Sequence, residues 1–240
     1  MNIQTSDTVG SIVTRNLHAA QILTNYGLDF CCGGQKSLQQ ACEDKNVAIG
    51  GLMQQLASLT DAKKEETPDF VDMNLIPLTK YIEKTHHKFT TDKLVYIKSN
   101  LSKLVDAHGA LHPELKKIKQ IFDALSDHLT IHMKREELMV FPYIRNMTRF
   151  GKTAIGRAVF GYIENPITDL INDHESESQK LKNLDDLTNH YAVPSDGCNT
   201  YTTTYQAMKE LEADLYIHMH LENNILFPKA VAVEKVFRQN

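Results

Sequence analysis

The sequence has few cysteines, little net charge and no long run of apolar residues. Its four cysteines include an adjacent pair, which is a poor start for a framework of structural disulfides, so a reducing compartment is expected. A formal net charge of −4 gives no electrostatic reason to bind nucleic acid or an anionic membrane surface. No apolar run approaches the roughly 20 residues of a membrane span. These features argue against nucleic-acid and membrane partners.

The first residues, MNIQTSDTVGS, are polar and lack the basic and apolar segments of a signal peptide. Together with reduced cysteines, this start predicts a cytoplasmic protein. With 240 residues, of which 42% are hydrophobic and 23% charged, the chain has room for one large globular domain or two smaller ones. Its 11 histidines are many for this length, and they are its most informative feature.

A charged segment without apolar periodicity, TDAKKEETPDF, separates two regions and predicts a linker over residues 61–73. Residues 1–60 are predicted to form a small helical domain. Apolar residues fall roughly on one face of a helix over 8–26, and Gly27 follows where a helix C-cap glycine belongs. Ser37 and the glutamine three residues later have the spacing of a capping box, which predicts a second helix.

Four long helical patterns occupy residues 74–240. The first runs from about Asn74 to Ala107, the second ends near Asn146, the third begins at Pro166, and the fourth runs from about Tyr201 to Val236. Short breaks separate them: a Gly/Pro segment around GALHP, then TRFGKT, then YAVPSDGCNT. Long helices with short connections predict an antiparallel up-down bundle. The predicted fold class is therefore all-α, with a small helical domain followed by a four-helix bundle.

One skeleton occurs twice in the bundle: HMKREELMVFP, beginning at His132, and HMHLENNILFP, beginning at His218. Residues four apart share a helix face, so His132 points with Glu136, and His218 points with Glu222. One such pair is most often an exposed pair of neighbours with a weak interaction. Two copies in near-identical context favour a metal site instead.

The spacing of the histidines supports one shared layer. Residues at the same level of an antiparallel bundle are equidistant from the loop between them. The midpoint of His87 and His132 falls in the first break, that of His132 and His174 in the second, and that of His174 and His218 in the third. Each helix therefore offers one histidine to the same layer, although the spacing does not choose between His86 and His87.

Four imidazoles and two carboxylates suit a pair of first-row metal ions, and favour iron or manganese over calcium or an all-thiolate zinc site. Bridging by both glutamates and an oxo or hydroxo group would leave one open position on each metal. Affinity order alone would favour zinc or copper over ferrous iron, so the metal is not fixed. A ferritin-like site needs two Glu-x-x-His motifs, and only Glu83 with His86 fits that spacing cleanly.

The other histidines and cysteines are interpreted as structural. His108 lies 21 residues beyond His87, about 31 Å along one helix at roughly 1.5 Å per residue, which is too far to share the site. Loop or surface positions are expected for His112, His128, His190 and His220. Cys42 and Cys198 are interpreted as packing residues.

The repeated skeleton resembles the hemerythrin-like di-iron bundle. GLDFCCGGQKSLQQAC resembles the N-terminal domain fused to it in the repair-of-iron-centres family of iron–sulfur cluster repair proteins. The resemblance spans residues 8–60 and 74–235, and it favours the second histidine of THHKF, His87, over His86. It implies an oxo- or hydroxo-bridged centre of two iron ions on these residues: His87, His132, Glu136, His174, His218 and Glu222.

The resemblance also implies a function, repair of iron–sulfur clusters damaged by nitrosative or oxidative stress, by supplying iron to damaged or apo iron–sulfur proteins. No catalytic residue is assigned. Cys31 and Cys32 would pass iron onward as thiolate ligands or form a strained, redox-active disulfide. The alternatives are a carrier or sensor of dioxygen or nitric oxide, and a redox enzyme consuming nitric oxide or peroxide. The oligomeric state stays open between monomer and homodimer.

Overall fold

The structure, a computed structural model, describes residues 3–59, 68–155 and 158–239. Over these ranges the regular structure is helical, and the strand-like pairing consists of one isolated bridge between Thr8 and Ser37. The all-α prediction is therefore confirmed. Most of the predicted linker, from residue 61 to 67, lies outside the described residues. None of the described helices is both long and apolar enough to cross a bilayer.

Four short helices form the N-terminal region: α1 (Val9–Arg15), α2 (His18–Asn25), α3 (Leu38–Asp44) and α4 (Ile49–Ala57). Ser37 begins α3 as predicted, because its side chain accepts the backbone N–H of Gln40. Gly27 takes the left-handed conformation (φ 67°) after α2. The prediction of one helix over 8–26 is wrong. Asn16 is extended and its side chain accepts the N–H of His18, so it ends α1 just before α2 begins.

Over residues 68–155 and 158–239, seven further α-helices follow. They are α5 (Leu75–Ile82), α6 (Lys88–His108), α7 (Glu114–Arg135), α8 (Phe141–Phe150), α9 (Glu164–Leu187), α10 (Asn199–Leu221) and α11 (Phe227–Gln239). Three pairs of consecutive helices are joined by π-helical turns. Glu83–His87 joins α5 to α6, Glu136–Val140 joins α7 to α8, and Glu222–Leu226 joins α10 to α11. Four long helical stretches result, as predicted. Helix α9 begins two residues before the predicted start at Pro166, because a proline in the first turn costs no helical hydrogen bond.

Two of the π-helical turns have a cause in the sequence. Pro142 and Pro228 lack a backbone N–H, and a proline ring collides with the carbonyl four residues earlier in a regular α-helix. A widened turn directly before each Phe-Pro pair relieves that collision. Glu136 and Glu222, two predicted ligands, each stand at the first position of such a turn. The turn Glu83–His87 is not followed by a proline, and nothing in the sequence signals it.

The chain divides into two compact units, each assembled from several segments. The first unit comprises Met1–Lys80, Ile144–Glu164 and Tyr216–Asn240, and the second comprises Tyr81–Tyr143 and Asn165–Leu215. In the first unit α1 packs against α2 and against the turn Glu222–Leu226. Its buried apolar core includes Ile12, Leu23, Leu38, Leu52, Leu56 and Phe227.

In the second unit α6 runs antiparallel to both α7 and α10. Lys98 on α6 pairs with Asp127 on α7 at 2.9 Å. Lys93 near the start of α6 pairs with Glu210, whereas His108 at its end contacts Cys198 just before α10. Helix α9 lies along α7, through pairs such as Arg135 with Asp173 at 2.8 Å. The buried apolar residues between these helices include Ile97, Leu101, Phe122, Leu125, Leu170 and Leu215.

Candidate metal centre

Three of the predicted ligands meet inside the second unit. One ligand atom from each of His132, Glu136 and His174 lies within 4.8 Å of the other two. The Nε2 atom of His132 is 3.0 Å from Nε2 of His174 and 3.3 Å from Oε1 of Glu136. All three side chains are almost completely buried, on the end of α7, the following π-helical turn and α9. The sequence spacing thus brings two imidazoles to one carboxylate.

His87 joins this group and His86 does not. Nε2 of His87 lies 3.3 Å from Oε2 of Glu136, and its ring stacks on Phe141. His86 points elsewhere, because consecutive residues of a helix face different directions. Its Nδ1 contacts Asp214 at 3.0 Å, and its ring lies edge-on to that of Tyr81. Of the two neighbours that the sequence left open, His87 is therefore the one facing the carboxylate.

The carboxylate of Glu136 is the feature that a cation would fit. Both of its oxygens are buried and accept no hydrogen bond from the described residues, while imidazole nitrogens of His87 and His132 stand 3.3 Å away. Burying a charged carboxylate without a hydrogen bond or a counter-charge costs several kcal/mol. A cation coordinated by these nitrogens and oxygens would compensate it. The mixture of imidazole and carboxylate suits iron, among other first-row metals.

A second layer of carboxylates contacts the outer nitrogens of these histidines. Glu137 lies 3.1 Å from Nδ1 of His87, and Asp173 lies 3.4 Å from Nδ1 of His132. Arg135 holds Asp173 in turn through an ion pair of 2.8 Å. Such contacts fix the orientation of the ring and turn Nε2 inward. Neither acid is predicted from the sequence, although each is adjacent in the chain to a predicted ligand.

The charges of this group are mutually stabilising. Burial opposes the charged forms of both His132 and Glu136, but their mutual attraction outweighs it. The pKa of His132 is therefore held well above its ordinary value, and the pKa of Glu136 well below. An imidazole must lose its proton before its nitrogen can bind a metal. Metal binding here would release a proton from His132, and acid would compete with the metal.

The remaining two predicted ligands form a matching pair in the first unit. Nε2 of His218 lies 3.1 Å from Oε1 of Glu222, and both side chains are buried. The histidine lies in the last turn of an α-helix and the glutamate opens a π-helical turn, as in the pair His132 and Glu136. The second copy of the skeleton therefore has the same local geometry as the first.

The Cys-Cys-Gly-Gly loop forms a small thiol cluster in the first unit. Cys31 is buried and Cys32 half-buried, both are free thiols, and their sulfur atoms are 3.7 Å apart. Asp29 Oδ1 accepts the backbone N–H groups of both cysteines, and the Cys31 thiol donates to the same oxygen. The hydrogen bond with Cys32, followed by burial, raises the pKa of Cys31 well above its ordinary value. Cys31 is therefore a protonated thiol.

The residues around Glu222 hold this loop. Asn224 donates to the carbonyl oxygens of Phe30 and Cys31 at 3.2 and 3.0 Å, and Asn223 donates to Cys31 at 3.4 Å. His220 packs edge-on against the Phe30 ring and is completely buried, which corrects its expected loop or surface position. Burial lowers the pKa of His220 to about 4, so it is neutral. The sequence signal was the pair of asparagines in HMHLENNILFP.

Of the other residues interpreted as structural, His128 contacts Asp173 at 3.4 Å and Glu177 at 3.0 Å. His112 contacts Asp196, and His190 contacts Asp185 at an exposed position. Cys42 is buried, as expected for a packing residue, whereas Cys198 is exposed and contacts His108. The interpretation of Cys198 as a packing residue is therefore wrong. Cys198 directly precedes helix α10, and its side chain is exposed.

Two family models match separate parts of the chain. The family described as hemerythrin HHE cation binding domain matches residues 78–230, and a domain of unknown function (DUF542) matches residues 5–60. The iron-sulfur cluster repair protein ScdA of Staphylococcus epidermidis is 31% identical over 228 residues, which cover 95% of this chain and 99% of the relative. The chain belongs to the iron–sulfur cluster repair protein family.

Further members of this family align over almost their whole length. ScdA of Staphylococcus haemolyticus is 28% identical over 221 residues, covering 92% of this chain and 96% of the relative. YtfE of Yersinia pseudotuberculosis, also called an iron-sulfur cluster repair protein, is 28% identical over 229 residues, covering 95% and 98%. The family resemblance seen in the sequence is thus confirmed. The hemerythrin-type domain implies iron binding, and the buried histidine and glutamate residues could hold the metal.

Proposed function

We propose that this protein supplies iron for the repair of iron–sulfur clusters damaged by nitrosative or oxidative stress. The buried Glu136 carboxylate, faced by imidazole nitrogens and accepting no hydrogen bond from the described residues, is the observation that carries this proposal. The proposed centre holds two iron ions on six side chains, with both carboxylates bridging. The six are His87, His132, Glu136, His174, His218 and Glu222.

His218 and Glu222 are assigned to the same centre as the other four for two reasons. One cation-binding domain match, over residues 78–230, spans both copies of the skeleton. The two copies also repeat the same local arrangement, a histidine at a helix end and a glutamate opening a π-helical turn. Two metals that share two carboxylates require one bridging residue from each copy.

The ligand set suits iron that must be given up again. Nitrogen and oxygen ligands hold ferrous iron less firmly than a cage of thiolates, and ferrous iron lies near the weak end of the divalent affinity order. Each histidine must be neutral to bind, so protonation of His132 favours release. Asp173 and Glu137 meanwhile keep the two inner nitrogens directed at Glu136, which prepares the site for reloading.

The cysteine loop offers a route from these ligands towards an iron–sulfur protein. Glu222, Asn223 and Asn224 are consecutive, and both asparagines hold the carbonyl oxygen of Cys31. The segment that carries one proposed iron ligand therefore also holds the thiols. Cys32 is partly exposed, and thiolate is the ligand that iron–sulfur clusters use. The partners would be damaged or apo iron–sulfur proteins.

An anaerobic transfer assay tests this function. Iron-loaded wild-type protein should rebuild the cluster of an apo ferredoxin supplied with sulfide, and Glu136→Leu and Glu222→Leu should not. Glu175→Leu is the matched control, because Glu175 is an exposed glutamate beside His174 and should transfer like the wild type. Circular dichroism would confirm that each variant is folded. Equal transfer by all four proteins, or a reversible dioxygen complex without transfer, would contradict iron donation.

A further inference from the structure

A second group of nucleophilic and titratable side chains lies in the second unit, where α6 ends and α10 begins. Nε2 of His108, the last residue of α6, is 3.3 Å from the sulfur of Cys198, which directly precedes α10. Cys198 is an exposed free thiol, and neither residue belongs to the proposed iron site. A nucleophile within hydrogen-bond reach of a base is the usual geometry of an activated thiol.

The start of α10 lies next to this sulfur in the chain. Thr200 and Tyr201 belong to the first turn of this 23-residue helix, where backbone N–H groups have no carbonyl partner within the helix. The positive end of the helix favours a negative charge at that point. The Tyr201 N–H, followed by the His108 side chain, lowers the pKa of Cys198 to about 7. The thiolate is therefore well populated near neutral pH.

His108 is the imidazole beside the thiol, and the carboxylates around the neighbouring His112 set the local charge. His112 is held by Asp196 and Glu114, each at 3.1 Å. The ring of Tyr201 lies edge-on to both His108 and His112. The two carboxylates make this rim acidic, so neutral or cationic reagents should approach the sulfur more readily than anionic ones.

We propose that Cys198 and His108 form a reactive thiol–imidazole pair that undergoes exchange with low-molecular-weight disulfides. The Cys198 thiolate attacks one sulfur of the disulfide, a new S–S bond forms to Cys198, and the old S–S bond breaks. The leaving thiolate departs with the electron pair and takes up the proton that His108 received from Cys198. The protein gains a mixed disulfide, the reagent is reduced to one thiol, and no further oxidant is needed.

The other described cysteines differ from Cys198 in ways that predict selectivity. Cys42 is buried, and burial raises its pKa. Cys31 is buried and is hydrogen-bonded as a thiol to Asp29. Cys32 is only partly exposed and lies in the loop held by Asn223 and Asn224. An exposed thiolate beside an imidazole should therefore react first.

Stopped-flow reaction of the full-length protein with 4,4′-dithiodipyridine, a neutral disulfide, tests the pair. The fastest phase should disappear in Cys198→Ser and persist in Cys42→Ser, with peptide mass spectrometry placing the adduct on Cys198. His108→Asn should slow that phase by up to about threefold near pH 7, because less thiolate forms. It should speed the phase by up to about threefold near pH 9, because a thiolate of higher pKa is the stronger nucleophile.

If His108 only shielded the thiol, its replacement would change the rate in the same direction at every pH. A slower reaction near pH 7 and a faster one near pH 9 therefore indicate that His108 activates the thiol. His190→Asn is the matched control, because His190 is an exposed histidine that contacts Asp185, whereas the thiol of Cys198 contacts His108. It should follow the wild-type profile. Identical profiles for His108→Asn and the wild type, or a first adduct on another cysteine, would overturn the proposal. The outcome does not depend on iron transfer.

Discussion

The two copies of the His-Met-x-x-Glu-x-x-x-x-Phe-Pro skeleton carry the same proposed ligands, a histidine and a glutamate, in different surroundings. Around the first copy, the acids Glu137 and Asp173 contact the outer nitrogens of His87 and His132. In the second copy the residue after the glutamate is an asparagine, and together with Asn224 it holds the cysteine loop. The shared skeleton residues supply the proposed ligands. The residues between them differ in the two copies and determine what each copy contacts.

One pair of equivalent positions shows this division most clearly. Leu138 in the first copy is 72% exposed, whereas its counterpart, Asn224, donates to Phe30 and Cys31. Gly34 and Gly10 lie so close to Asn224 that neither has room for a larger residue. The second copy therefore carries two proposed iron ligands and is also the docking site of the cysteine loop. Substitutions can separate these two roles.

The largest effect is expected on the first copy, at a carboxylate that contacts a ligand histidine. Asp173→Asn should weaken iron binding by roughly 10- to 100-fold, because His132 loses the charge that orients its ring. Chelator competition would measure the change. Asp169→Asn is the control, since Asp169 contacts Arg135 at 3.7 Å and is mostly exposed. Equal affinities for the two variants would show that the outer carboxylates do not support the site.

A smaller effect is expected at the docking site of the second copy. A methyl group at Gly34 would lie 2.8 Å from the Phe30 backbone oxygen and closer still to Asn224. Gly34→Ala should therefore lower the free energy of unfolding by about 1–3 kcal/mol. Gly50→Ala, inside helix α4 with nothing within 4 Å, should instead raise it by about 0.5–1 kcal/mol. Thermal unfolding that shifts both variants in the same direction would refute the close packing of this loop.

The smallest effect is expected from exchanging the two equivalent residues. Asn224→Leu removes one amide donor from each of the carbonyl oxygens of Phe30 and Cys31, so about 1–2 kcal/mol of stability should be lost. Leu138→Asn, on the exposed counterpart, should change the stability by less than about 0.5 kcal/mol. Urea unfolding would measure both, with the labelling rate of Cys32 as a second readout. Equal losses would mean that Asn224 has no special docking role.

Much of this arrangement could be predicted from the sequence because it depends on helical periodicity. The spacing of four between His132 and Glu136 predicts one shared face, and the structure places them 3.3 Å apart. The histidine midpoints in the loops likewise led to His174, whose ring contacts His132. The choice of His87 over His86 rested on family resemblance, since periodicity alone could not make it.

Other features depend on contacts between residues distant in the chain. The burial of His220 follows from the loop of Phe30 packing against it, some 190 positions away in sequence. The pairing of Asp173 with His132 and that of Cys198 with His108 arise in the same way. The break at Asn16 reflects a local competition, in which a side-chain amide replaces a helical hydrogen bond. Periodicity contains none of this information.

Iron content and Mössbauer spectra of protein purified anaerobically test the central claim most directly. We expect two iron ions per chain with antiferromagnetic coupling in the wild type. The coupling should be lost in Glu136→Leu and in Glu222→Leu, because each removes one proposed carboxylate bridge, and it should persist in Glu175→Leu. One zinc ion per chain, or two irons whose coupling is unaffected by either substitution, would contradict the account.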